Sequence, residues 1–281
     1  MFMACQGNLI FARDLKIRHL GFMALIALLS DWGTKDHYVG MVKGKILTKI
    51  PESDIIDISH EIPPFNLNNA AFVLRHCYRQ FPEKTIFIVD ITSEATIEMP
   101  HVVVEYAGSY FIGADNGIFS LAFDEDPDSI TEIDIYQDTH TFTFAAFDLF
   151  VKVAQHIVEG KEISLLGPKR DRLAERIQLK PVAEPDLIKG HVTYVDNYEN
   201  VFTNIDQELF LRIGQKRSFR ILFGASRYSV RQISQSYKDV SEGEIVALFS
   251  SSGFLQIAVS MGNASGLLGL KVNDMIREEF G

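Results

Sequence analysis

ALIALLSDWGTKDHYVGMVKG, residues 24–44, opens as an apolar run and then changes character. Ala24 to Leu29 has the continuous hydrophobicity of a strand covered on both faces, as in a parallel sheet. Asp31 arrives just after that run, Gly33 and Thr34 follow, and Asp36 lies five residues beyond Asp31. Tyr38, Val39, Val42 and Ile46 then recur at helical spacing. A strand, a polar turn and a helix in this order form the first half of a βαβ unit. In open α/β sheets the carboxyl ends of strands are where ligands bind.

The same rhythm continues to about residue 160. DIIDIS, TIFIVDIT, HVVVEYAG and SYFIGADN read as strands, and NLNNAAFVLRHCYRQF and FDLFVKVAQHIVEG as helices. This predicts an α/β domain over 23–168 with a mostly parallel, doubly wound sheet. PKRDRLAERIQLKPVAEPDL is charged and punctuated by proline, and predicts a linker over 169–188. From 189 to 281 the segments are short and strand-like, with Gly and Asn between them, and predict a small all-β barrel.

Arg13, Lys16 and Arg18 ahead of LGFMALIALLS imitate the charged and apolar parts of a signal peptide. No small-x-small cleavage site follows before Asp31, so the reading preferred is a buried first strand. Residues 1–22 are expected to be an extension ahead of a start at Met23. No segment is long enough to span a membrane. Two cysteines, Cys5 and Cys77, make neither a disulfide framework nor a metal-ligand spacing, and a cytoplasmic location is the default. A net charge of −10 argues against nucleic acid, whose phosphates attract Lys and Arg.

Five places stand out chemically. Asp31 at a strand end can accept two hydrogen bonds from the vicinal hydroxyls of a ribose; the ordinary alternative is a helix N-cap. No Gly-x-Gly-x-x-Gly follows, so a nucleoside suits the turn better than a nucleotide. Asp90 ends another strand and is a base or water-orienting group, or else a turn residue. Phe65, after Pro63 and Pro64, could stack on a base or ribose or simply close the core. In YVDNYENVFTNI, Asp196, Tyr198, Asn200 and Phe202 place an amide between aromatic rings, which can read an adenine edge; an ordinary polar hairpin has the same look. SSSGFLQIAVS offers hydroxyls, Ser251 among them, for an amino-acid carboxylate. No metal or serine-hydrolase pattern is present.

LLSDWGTKDHYVGMVKGKI, IIDISHEIPPFNLNNAAF, YFIGADNGIFS, YVDNYENVFTNI and SSSGFLQIAVSMGNAS occur in one succession. That succession, from about Ala24 to the C-terminus, resembles the S-adenosylmethionine hydroxide adenosyltransferases, which include fluorinase and chlorinase enzymes. The resemblance implies an α/β domain and a β-barrel, a homotrimer, and S-adenosylmethionine or adenosine held between neighbouring subunits with no cofactor. It assigns Asp31 to the ribose hydroxyls, Asp36 to a second acidic position and Phe65 to the ribose wall. Asn200 would read adenine between Tyr198 and Phe202, with Asp196 and Thr143 at further site positions, and Ser251 would hold the methionine carboxylate. Asp90 would handle the water that attacks C5′.

The chain departs from the family pattern where the water is managed. VDITSEATIEMP keeps Asp90, but Ile97 stands at the Arg position; in TFAAFD, residues 143–148, Ala145 stands at the His position and Phe147 at another Arg, with Asp148 kept. Ser260 and Glu199 replace a usual Asn and Gly. Three readings follow. One is a hydrolase relying on Asp90, with Thr92, Ser93 or His140 nearby, giving adenosine and L-methionine. Another is a protein that binds S-adenosylmethionine or adenosine without turnover. The third is a halogenase, in which Ser93 and Ala146 would line the halide pocket; Asp90 opposes it by repelling an anion.

Overall fold

The computed structural model describes residues 24–136 and 143–281, so the proposed 1–22 extension, Met23 and His140 lie outside the described residues. The quoted stretch folds as β1 (Leu25–Ser30) and α1 (Tyr38–Lys49), with a turn between them. The chain continues through β2 (Asp54–Ser59), α2 (Leu67–Cys77), β3 (Ile86–Asp90), β4 (His101–Tyr106), β5 (Ser109–Ala114), α3 (Ile118–Ala122) and β6 (Ser129–Glu132). The sheet order is β2-β1-β3-β5-β4-β6. β1 runs parallel to β2 and β3, and β3 parallel to β5.

Alternation along the strands explains why they read as unbroken apolar runs. Ile26, Leu28, Ile88, Val103 and Ile112 point to one face, where Val42 and Ile46 of α1 meet α4 (Val151–Val158). Ala27, Leu29, Phe87, Val89, Val104 and Phe111 point to the other, under α2 and α3. Both faces are covered, which is the condition for parallel strands to be buried.

β4 and β5 do not join through a helical crossover. They form an antiparallel hairpin whose two-residue turn, Ala107–Gly108, has φ of 50° and 73°. A connection that short can only reverse the chain, and positive φ at both positions matches the strand twist. β4 also pairs antiparallel with β6, so the sheet is parallel at one side and antiparallel at the other.

After α4 a short 3-10 turn, Ile163–Leu166, leads into a segment that crosses the first domain without helix or strand. Lys169 bridges Thr131 on β6, the Ala174 N–H donates to Asp115 Oδ1 at 2.8 Å and Arg176 Nε donates to the Asn116 carbonyl at 2.8 Å. Strand pairing resumes within the stretch read as linker, at β7 (Val182–Glu184), which pairs with β8 (Leu187–Val195).

Then come β9 (Val201–Asp206), α5 (Gln207–Gly214), β10 (Phe219–Phe223), β11 (Tyr228–Val230), β12 (Ile245–Phe249), β13 (Phe254–Val259), α6 (Ala264–Leu268) and β14 (Met275–Phe280). They form an antiparallel sheet, β11-β10-β14-β8-β9-β13-β12. β8 pairs with β14 along Leu187–His191 and with β9 along Val192–Val195. Its two halves turn the sheet on itself, and a bridge from Ser234 to Leu248 nearly closes it as a barrel. The barrel also carries two helices that the sequence reading took as strand-like ground. α5 is set by Asp206, whose side chain accepts from the Leu209 N–H at 2.7 Å, and α6 by the Asn263 cap.

Candidate functional site

Asp31 and Asp90 sit at the ends of adjacent strands, since Ser30 of β1 is in register with Asp90 of β3. Asp31 is no helix cap: the residue before α1 is His37, which makes no side-chain cap. Its carboxylate instead accepts the backbone N–H of Phe65 at 2.8 Å. Phe65 has φ of 63°, a left-handed conformation that costs a bulky residue energy, and its ring is 76% exposed. The first two expected binding residues are therefore tied together, with the aromatic ring held out at the mouth of the strand ends.

The loops carrying them are zipped along their length. The Gly33 N–H, at φ of 69°, donates to the His60 carbonyl at 2.7 Å. The Thr34 N–H and hydroxyl both donate to Glu61 Oε1, at 3.1 and 2.8 Å. Below them Ser30 Oγ lies 2.6 Å from His60 Nδ1, and His60 Nε2 lies 3.1 Å from Asp57. Trp32 stacks on the His60 ring at 5.5 Å and meets Phe144 edge-on at 5.2 Å. Asp36 stands exposed just ahead of α1, away from these bonds.

Asp90 is only 3% exposed. Burial, with the charge of Asp31 beside it, pushes its carboxyl up to about 6. Donors from the Ser93 hydroxyl, the Trp32 indole and the Ala146 backbone N–H act in the opposite direction and favour the ionised form. Ala146 opens a π turn, Ala146–Phe150, that leads into α4. Such wide turns recur at functional sites. Thr143 is exposed at the approach to this turn. The result is a carboxylate poised near neutrality at the carboxyl end of a sheet, which suits a general base.

The second group of expected residues gathers on the barrel. Asp196 Oδ1 accepts the N–H groups of Tyr198 and Asn200 at 2.9 and 2.8 Å, and its Oδ2 accepts the Asn200 amide at 3.0 Å. Asp196 thus orders the turn and aims Asn200. Glu199 takes φ of 60° there, and its carboxylate accepts the Gly266 N–H at 3.0 Å. Tyr198 is 77% exposed. Phe202 packs edge-on to Phe72 of α2 at 5.4 Å, and Phe72 stacks flat on Tyr194 at 4.2 Å. Asp196, Tyr198, Asn200, Phe202 and Ser251 share one open hollow of ≈ 1310 Å³, floored by Gln256, which accepts the Tyr237 hydroxyl at 2.9 Å.

Within one chain the two groups stay apart. None of Asp31, Phe65, Asp90 and Ser93 lines that hollow, and no hydrogen bond or ring contact joins the groups among the described residues. The departures from the family pattern are equally plain. Ile97 is 96% exposed on the loop after β3, Ala145 is buried, and Phe147 carries Lys45 over its ring at 4.2 Å. None supplies a donor to Asp90. Sequence reasoning missed Trp32 and Ala146 as partners of Asp90; the signal for Trp32 was its place beside Asp31, while a backbone donor leaves no mark in side-chain chemistry. It missed Glu61 and His101 too.

Comparison with known proteins is consistent across both domains. A (R)-S-adenosyl-L-methionine hydrolase of Methanocaldococcus jannaschii is 29% identical over 267 residues, covering 90% of this chain and 94% of that protein. A fluorinase of Nocardia brasiliensis is 24% identical, covering 93% and 98%. The crystal structure of an uncharacterized conserved protein from Thermotoga maritima superposes with a TM-score of 0.82 at 34% identity, covering 90% of this chain and 99% of that one. Family models for the SAM hydroxide adenosyltransferase N-terminal and C-terminal domains match residues 26–167 and 190–277. With both halves matched, and with the paired strand-end carboxylates and the Asp196–Asn200 turn in place, the chain belongs to the SAM hydroxide adenosyltransferase family.

Proposed function

We propose that this chain is an enzyme that cleaves S-adenosylmethionine at C5′ with water, giving adenosine and L-methionine. The observation that carries the reading is Asp90: a buried carboxylate at the end of β3, in register with Ser30 and so beside Asp31, which burial pushes up to about 6. Sulfonium departs as neutral methionine, so no acid has to protonate it. The site has to orient water in line with the C5′–S bond and exclude bulk solvent. Asp90 accepts the water's proton as oxygen attacks C5′, Asp31 grips the ribose hydroxyls, and Phe65 covers the sugar. The hydrolases of the family support this reading by likeness across both domains.

The adenine and methionine ends fall to Asn200, Tyr198, Phe202 and Ser251 of a neighbouring subunit, in a homotrimer working in the cytoplasm without a cofactor. The separation of the two groups within one chain supports that assignment. So do the exposed rings of Phe65 and Tyr198, which an interface and a ligand would cover. The described residues include no helix long and apolar enough to cross a membrane.

Incubating the purified protein with each sulfonium epimer of S-adenosylmethionine and separating the products tests the reading. Adenosine and methionine in equal amounts are expected; a 5′-halo product would replace it. Ile97 and Ala145 favour one alternative, a protein that binds the ligand without turnover. Ligand-induced thermal stabilisation with no product would establish it instead.

A further inference from the structure

A carboxylate is only as well placed as the loop that surrounds it. Residues 91–100 join β3 to β4 without helix or strand, and Thr92 in that loop has φ of 49°. Two side chains from elsewhere in the sheet hold its backbone. Asn116 Nδ2 donates to the carbonyls of Ile91 and Thr92, at 2.8 and 3.2 Å. His101, the first residue of β4, places Nε2 2.6 Å from the Ser93 carbonyl. A carbonyl only accepts, so Nε2 carries the proton, and this fixes the tautomer. The His101 ring is buried edge-on to Phe150 at 5.0 Å, and burial lowers its pKa, so it stays a neutral donor through the physiological range.

We propose that His101 is a positioning residue for Asp90: by holding the Ser93 main chain it fixes the loop that leaves β3 at Asp90, and with it the place of Ser93 beside that carboxylate. The proposal rests on Asp90 being the base of the reaction described above. Ile97 lies outward on the same loop and the Ala145 side chain has no polar atom, so Ser93, Trp32 and the Ala146 N–H are the groups that favour the ionised form of this carboxylate. The groups facing Asp90 are Asp31 at the end of β1, Trp32 in the following turn, Ser93 in the clamped loop and the Ala146 N–H of the π turn. His60 stacks on the Trp32 ring and lies 2.6 Å from Ser30 Oγ, the residue in register with Asp90.

The chain has one tryptophan, and its indole faces Asp90. Its fluorescence therefore follows the ionisation of Asp90 whether or not the protein turns over substrate. The wild type is expected to show a fluorescence transition near pH 6 that is absent in Asp90→Asn. Ser93→Ala should move that midpoint up by about one pH unit, as removal of a hydrogen bond to a charged group requires. His101→Leu should move it the same way, His101→Gln, which retains an N–H donor, should restore it, and Ser93→Ala combined with His101→Leu should add nothing further. In turnover assays His101→Leu should lower kcat about tenfold with KM little changed, and shift the acidic limb of the pH profile upward. An unmoved midpoint in His101→Leu, an additive double variant, or a wild type with no Asp90-dependent transition would overturn the proposal. If the midpoints shift as stated but no variant and no wild type releases adenosine, the positioning role stands and the hydrolase reading fails.

Discussion

At Asp90 the carboxyl group is buried, so ionising it costs more in the folded chain than in the unfolded one. With a folded pKa near 6 against an ordinary 3.8, the folded chain holds the extra proton between those values. Stability from this group is therefore complete at low pH and falls as pH rises to about 6, by on the order of 3 kcal/mol in all. Asp90→Asn should abolish adenosine release while raising Tm at pH 8 more than at pH 4, as calorimetry would read. Turnover should follow the opposite course, rising as pH passes through about 6 and the base ionises. In the proposed reaction Asp31 has two duties. Asp31→Ala would remove the proposed ribose acceptor together with the anchor of Phe65, so Kd for S-adenosylmethionine should rise at least tenfold; titration calorimetry is the check. The positions of both acids at strand ends were legible in the sequence, because an apolar run followed by Asp has few readings. The partners of Asp90 were not, because hydrogen bonds between strand ends depend on register.

β14 presents Ile276, Glu278 and Phe280 to the barrel interior. Glu278 is 0% exposed, and neither carboxylate oxygen has a hydrogen-bond partner among the described residues. Burial pushes its carboxyl up to about 8. The folded barrel thus binds a proton that the unfolded chain releases above about 4.5, and stability declines from there to about pH 8. Near pH 7 that amounts to on the order of 3 kcal/mol. Glu278→Met, similar in volume and without charge, should raise Tm, and the gain should be larger at pH 8 than at pH 5. Thermal unfolding across that range decides it; an equal gain at both would show that the acid does not titrate in the folded barrel. The sequence reading singled out no strand at 275–280, and so could not show that alternation there places Glu278 inside. The same limit hid the β4–β5 hairpin, whose two runs look like any pair of buried strands until the Ala107–Gly108 turn is seen to be too short for a crossover.

For the whole molecule, the two groups of site residues occur on different domains, and α2 packs between them through Phe72 and Tyr194. If each site is built from one subunit's sheet and its neighbour's barrel, two inactive variants can repair each other. Asp90→Asn supplies an intact barrel face and Asn200→Ala an intact sheet face. Mixed subunits, dissociated and reassembled together, should regain a fraction of wild-type adenosine release, while each variant alone stays inactive. No recovery, with mixed assemblies verified by mass, would mean that one chain holds the entire site. The two-domain texture was visible in the sequence as a change from long apolar alternation to short segments between Gly and Asn. How one chain's halves face each other was not, since that depends on contacts between residues more than a hundred positions apart.

The π turn at Ala146–Phe150 has one more consequence. Ala146 stands at the first position of the turn, where a main-chain N–H has no acceptor in its own helix. That spare amide acts on Asp90, favouring its ionised form. Exchanging the alanine side chain leaves the amide in place, and proline, the one residue lacking it, is disfavoured because Ala145 before it is already helical, at φ −60° and ψ −39°. A family that drifts in its histidines and arginines can therefore retain this contact through almost any point change at the position, and only an inserted or deleted residue would unseat it.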